Sequence, residues 1–139
     1  MANSSGGVVP LIGRVLLSAV FIIAGIGKIS GFSGEEGFVA SKHLPLPAVA
    51  LAIALIVELG GGLAILVGLY TRFTAWIVFL YMIPTTFLFH NFWAMEGVNR
   101  TDNMLHFEKN VAIMGGLLIL AAFGPGKLSV DGARAPQSA

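Results

Sequence analysis

The chain contains no cysteine, and only 11% of its residues are charged. Without thiols there is no disulfide framework, thiolate nucleophile, zinc–thiolate site or cysteine-held iron–sulfur cluster. The eight Lys and Arg residues are scattered and the net charge is +1, so no concentrated basic face exists to meet phosphates, and nucleic acid is not an expected partner. The opening MANSSGG lacks the basic residues of a signal-peptide n-region, so the first apolar run is expected to stay as a helix. What the chain has in place of charge is apolar length. Of 139 residues 56% are hydrophobic, with a mean hydropathy of +0.87, far from the balance of a water-soluble domain.

Crossing a hydrocarbon core takes about 20 helical residues, and four runs approach that length. The first, residues 8–29, is interrupted by Arg14, Ser18 and Lys28. The second, 46–70, carries one charge, Glu58, near its middle and ends in the tight link Tyr70–Thr71–Arg72. The third, 73–92, contains Pro84, which removes a backbone donor; Thr85 or Thr86 can help satisfy the freed carbonyl. The fourth is cleanly apolar from Val111 to Phe123 and reaches spanning length, 104–123, by admitting His106, Glu108 and Lys109 in its first turns. These runs predict an all-α membrane protein, a four-helix transmembrane bundle in one domain, with membrane lipids around it. Residues 31–47 read as a connector with one interfacial turn, and the tail from Gly124 as glycine- and proline-broken with a disordered end. Gly60, Ala64 and Gly68 form one small-residue ridge and Ala112 with Gly116 another, as helix packing in lipid favours.

Four crossings put both termini and the Tyr70–Arg72 link on one side, the terminal face, and the two longer connectors on the other. The terminal face holds Arg72, Lys127 and Arg134, with Arg14 if it snorkels; the connector face holds Lys28, Lys42, Arg100 and Lys109. That near tie leaves orientation weakly specified, and both termini are expected in the cytoplasm.

Charges in hydrocarbon cost about 2.5 to 3.5 kcal/mol each at a helix centre, so Arg14 and Glu58 need compensation. At about 1.5 Å per residue Arg14 lies roughly 9 Å inside the first helix, and Glu58 roughly 18 Å from the same face, which allows an extended arginine to reach the carboxylate. A buried Arg14–Glu58 pair is therefore expected, either fixing register or serving as a ligand anchor or proton carrier. Arg14, Ser18, Phe21, Gly25 and Lys28 share one stripe aimed into the bundle. The second polar concentration is at the connector face, where Lys28, His90, Trp93, His106 and Glu108 gather at helix ends and all three histidines lie on one side. Met82, Thr86, His90 and Trp93 fall on one helical stripe. The cluster suits a quinone head, a metal or a partner protein, and the plainer reading is an interfacial belt. No HxxxH or HxxEH spacing occurs, so no metal site is expected.

The segments GRVLLSAVFIIAGIGKISGF (with Arg14 and Lys28), ELGGGLAILVGLYTR from Glu58 to Arg72, HNFW from His90, FEKN from Phe107 and GPGKLSVDG from Gly124 together resemble the DoxX family of small bacterial membrane proteins. The resemblance covers about Leu11 to Gly132. It implies a four-helix bundle in the bacterial inner membrane and association with membrane oxidoreductases that touch the quinone pool. On that basis the expected function is an accessory or anchoring subunit of such an oxidoreductase, with a noncovalently bound quinone as candidate cofactor and a partner subunit or second copy as candidate partner. The rivals are a self-contained quinone-reactive oxidoreductase and a carrier of lipid or small solute without redox activity.

Overall fold

A computed structural model describes residues 5–135, with side-chain surroundings from Gly7 onward. The expected disorder at the end of the tail falls on residues 136–139, outside the described residues. Four helical spans long and apolar enough to cross a membrane run Gly7–Ser30, Pro47–Val67, Thr71–Ala94 and Gly97–Phe123, and no strand occurs among the described residues. Large apolar side chains such as Leu16, Ile23, Ile56, Phe73, Leu80 and Ile119 are exposed on the outside. Together with the hydropathy of the spans, that apolar exterior makes lipid the surrounding medium.

The elements in order are α1 (Ser5–Ser30), α2 (Phe32–Ser41), α3 (Pro47–Leu55), a π-helical turn (Ile56–Gly60), α4 (Gly61–Val67), α5 (Thr71–Phe89), a 3₁₀ turn (Phe92–Ala94), α6 (Gly97–Phe123) and α7 (Val130–Arg134). The second span is thus α3, the π turn and α4 in one rod. Pro47 starts it at the first helical position, where its missing N–H is no loss. Gly68 ends it with φ +73, and Tyr70 follows at φ 45, so two left-handed residues turn the chain straight into α5.

Two glycines set how the first two spans meet. A Cβ at Gly25 would lie 3.1 Å from Leu59, and one at Gly62 would lie 3.0 to 3.1 Å from Ile22 and Phe21. Their backbones approach this closely because neither residue carries a side chain. The antiparallel register follows: Gly25 is level with Leu59, and Phe21 and Ile22 with Gly62. On the inner face the expected stripe of Arg14, Ser18, Phe21 and Gly25 is buried, with Lys28 partly so. Opposite it, Leu51, Ala54, Glu58 and Ile65 line the second span. The core is completed by Ala75, Val78 and Met82 of α5 with Leu117, Leu120 and Ala121 of α6, the most extensively packed helix pair.

Three departures from expectation have local causes. The connector at 31–47 contains a ten-residue helix, α2, which buries Val39 while leaving Phe38 half exposed. The fourth span starts at Gly97, two turns before Met104, because the polar stretch VNRTDN contains no helix breaker and continues α6 outward. The tail folds into α7, held against the link between the second and third spans by hydrogen bonds that no hydropathy pattern encodes. Pro84 sits inside α5, and the Thr85 hydroxyl donates to the Tyr81 carbonyl at 2.9 Å, one turn back.

Candidate functional site

The buried charges do not pair as expected. The register places Glu58 level with Ile26, about three turns or roughly 18 Å along the helix axis from Arg14. Side chains on a helix lean toward its N-terminus, so Arg14 leans to the terminal face and away from Glu58. There the last turn of α4 presents carbonyls that have no helical partner. The Arg14 guanidinium, 2% exposed, donates to Leu66 O at 2.9 Å, Ile65 O at 3.3 Å and Leu128 O of the tail. It caps the negative end of α4 and ties the tail to it. Among the described residues its Nε alone of the buried side-chain polar atoms lacks a partner.

Asp131 completes this clasp. Its carboxylate accepts from Tyr70 N–H at 2.9 Å, and from Thr71 N–H and the Thr71 hydroxyl at 2.7 Å each, at the uncapped start of α5. Its own N–H donates to Gly68 O at 2.9 Å. Burial alone would push the Asp131 carboxyl up, but the hydrogen bonds from Thr71 and Tyr70 and the charge of Arg134 outweigh it and hold the carboxyl below its ordinary value. Gly68 is obligatory here twice over: its φ is positive, and any Cβ would collide with Ser129 and the Arg14 guanidinium.

Glu58 is compensated by Lys28 and Tyr81. The same N-terminal lean that carries Arg14 away brings Lys28, near the end of α1, down toward Glu58, and Nζ meets Oε2 at 2.8 Å. The Tyr81 hydroxyl donates to Oε1 at 2.6 Å. Glu58 lies within the π turn, a distortion that recurs at functional sites because the extra residue per turn re-aims side chains. Its side chain is 8% exposed and that of Lys28 is 22% exposed. Tyr81 escaped the sequence reading because a tyrosine in an apolar run reads as packing; its one signal is its position three residues before Pro84, on the helix facing Glu58.

Beside this triad is a cavity of about 360 Å³, lined by Lys28, Glu58 and Tyr81 at its polar end, by Ala50, Leu51, Ile53 and Ala54 of α3, by Pro84, Leu88 and Phe89 of α5, and by Glu35, Phe38 and Val39 of α2. A cavity of this size, mostly apolar with a few converging polar groups, is in the range of small-molecule sites. His90 also borders it.

The remaining connector-face candidates divide. His90 and His106 stack with ring centroids 5.2 Å apart, His90 Nδ1 lies 3.2 Å from Asn103 Oδ1, and Lys109 Nζ lies 3.3 Å from His106 Nδ1. Trp93 does not share a face with His90, because α5 stops at Phe89; the indole lies in the 3₁₀ turn among Phe87, Phe92 and Phe107. Glu108 is exposed and has no hydrogen-bond partner among the described residues. Lys28 and His90 therefore meet at the cavity, His106 stacks behind His90, and Trp93 and Glu108 stand apart. Among the described residues no three His, Asp or Glu side chains gather as a metal ion would require.

The family model described as DoxX matches residues 9–91. The chain is 43% identical over 121 residues to inner membrane protein YqjF of Escherichia coli, covering 87% of this chain and 88% of that protein. It is 38% identical over 121 residues to inner membrane protein YphA of the same organism, covering 87% and 86%. It is also 33% identical over 123 residues to the surfeit locus protein 4 homolog of Schizosaccharomyces pombe, spanning 87% of this chain but 36% of that protein. No solved structure matches the chain significantly.

Proposed function

The chain belongs to the DoxX family, and from that premise we propose that it is a multi-pass bacterial inner membrane protein, both termini cytoplasmic, that binds a small amphipathic molecule in the cavity beneath α2. The observation that carries this reading is the junction of a buried Lys28–Glu58–Tyr81 triad with an apolar cavity at the connector end of the bundle. A charge pair kept only for register needs no open space beside it. Here Lys28 has ammonium protons beyond the one directed at Glu58, available to a ligand oxygen.

A quinone is the candidate occupant, and the protein is then the accessory or anchoring subunit of a membrane oxidoreductase. The residues fit that group: a quinone carbonyl needs a donor, which Lys28 supplies, and its ring needs apolar walls, which Leu51, Ala54 and Phe89 supply. When bound, a quinone would contribute two-electron redox chemistry. The protein's own part is to seat the head group, orient it through Lys28, and keep Glu58 bonded to Lys28 and Tyr81. The lined cavity also supports a second reading, a carrier for lipid or small solute, since intramembrane charges mark solute paths as well.

Purification in mild detergent, followed by extraction and mass spectrometry of what comes with the protein, tests both. Stoichiometric quinone, reduced in Lys28→Met and Tyr81→Phe but retained in Arg14→Met, is the expected result. Quinone at background levels, with another lipid in stoichiometric amount, favours the carrier. Reporter fusions at both termini check the orientation and should give the same cytoplasmic signal.

A further inference from the structure

The cavity has two sides that differ in how they are closed. Toward the aqueous connector face α2 covers it: Val39 is buried, the Phe38 and Phe89 rings pack with centroids 5.5 Å apart, and Lys42 Nζ donates to Asn91 Oδ1 at 3.2 Å. Toward the lipid it is not covered. The second and third spans pack closely between α4 and the first half of α5, where a Cβ at Gly61 would lie 2.7 Å from Val78. At the connector end α3 and α5 are not closely packed, and the cavity lies between them. Ile53 and Leu88 stand on the two sides of that cleft, lining the cavity while 53% and 41% exposed to the surrounding lipid.

The polar end of the cavity also discriminates by charge. Lys28 already faces Glu58, and Glu35 borders the same space, so the carboxylates outnumber the ammonium group. A ligand carboxylate would meet two like charges in a poorly hydrated site. A hydroxyl can donate to Glu58 and accept from Lys28, and a carbonyl can accept from Lys28.

Resting on the reading of the cavity as a ligand site, we propose that its ligand is an uncharged, membrane-dissolved molecule with a hydroxyl or carbonyl end, admitted sideways from the bilayer between Ile53 and Leu88. The α2 helix is then the roof of the site and not its door. This assignment covers quinones and extends to any neutral single-headed lipid, and it excludes fatty acids and water-soluble metabolites.

The test uses the full chain in lipid nanodiscs with two photoactivatable probes, a diazirine-bearing long-chain alcohol and the carboxylic acid of the same chain length. Labelled residues are mapped by mass spectrometry. The alcohol should label the walls of the cavity about tenfold more than the acid, the factor given by about 1.4 kcal/mol of differential binding. Plugging the cleft with Ile53→Trp or Leu88→Trp should remove most of that labelling, whereas Lys42→Ala, which releases the roof from Asn91 without altering the cavity lining, should leave it. Because both plugs sit on lipid-facing positions they should fold, and unchanged thermal unfolding verifies this; Ala50→Phe provides a second obstruction on the same wall. Equal labelling by acid and alcohol, or labelling that survives the plugs and rises in Lys42→Ala, would overturn the inference while leaving a ligand site in place. No cavity labelling by either probe would overturn the ligand site itself and this inference with it.

Discussion

The two ends of the bundle both bury charge, yet they do so in opposite ways. At the terminal face Arg14 and Asp131 direct all their bonds but one, that from the Thr71 hydroxyl, to main-chain groups: the carbonyls of Ile65, Leu66 and Leu128, and the N–H groups of Tyr70 and Thr71. At the connector face Lys28, Glu58 and Tyr81 bond to one another and border a cavity of about 360 Å³. Main-chain partners exist at every helix end and do not depend on what a binding site needs. A charge bonded to them is structural. Side chains bonded to one another across a cavity can exchange one partner for a ligand without undoing a helix end. The contrast teaches that a buried charge in a membrane bundle is diagnosed by what it bonds to, and not by its depth.

Substitutions at the two ends should therefore separate stability from binding. The largest expected loss of stability is from Arg14→Met, which withdraws the donor from Leu66 O and Leu128 O and releases the tail, Ile65 O keeping its bond from Gly68 N–H; charged hydrogen bonds of this kind contribute about 1.5 to 3 kcal/mol each. Detergent-resistant thermal unfolding should fall steeply while occupancy of the cavity in the folded fraction stays near wild type. A loss of ligand with intact stability would merge the two ends into one site. Next is Lys28→Met, which leaves Glu58 buried without its cation, a change that costs about 3 kcal/mol at the lower end of the range for such pairs. Lys28→Met with Glu58→Leu should recover most of that loss, whereas Arg14→Met with Glu58→Leu should be additive, because those residues share no partner. Coupling of Arg14 to Glu58 would contradict the register set by Gly25 and Gly62.

Smaller again is the clasp's dependence on pH. The Asp131 carboxyl is held below its ordinary value, so its contribution is complete above the unfolded aspartate value of about 3.9 and is lost as pH falls through the lower folded value. Hydrogen exchange at Val130–Arg134 should accelerate selectively under strong acid, and in Asp131→Asn should already be fast at neutral pH. The smallest stability change belongs to Tyr81→Phe, which removes one hydrogen bond worth about 1 kcal/mol. Its effect on ligand retention should be larger than its effect on melting; the reverse ranking would make Tyr81 a packing residue. These four outcomes rank the ends by what each is for.

The fold was open to sequence reasoning where one helix decides the matter. Apolar run length located all four spans, and the buried stripe of α1 followed from spacing alone. What one helix cannot encode is its axial register against another. Depths counted from sequence allowed Arg14 to reach Glu58; the close approach at Gly25 and Gly62, together with the N-terminal lean of helical side chains, sends each to a different end. Tyr81 and Asp131 were missed for the same reason, since each matters through a residue on another element. Trp93 was placed beside His90 by extending α5 past its true end, where Asn91 departs from helical backbone at φ −80, ψ 60.

The contact between Arg14 and Leu128, 114 residues apart, has a consequence in time. Helix α1 is synthesised before α6 and the tail, and it carries a guanidinium whose last acceptor is made only after α6. Until then the terminal end of the newborn chain holds an incompletely satisfied cation, and insertion is complete only when the tail docks. A nascent chain stalled before Lys127 therefore lacks the tail's acceptor for Arg14 and keeps only those of α4.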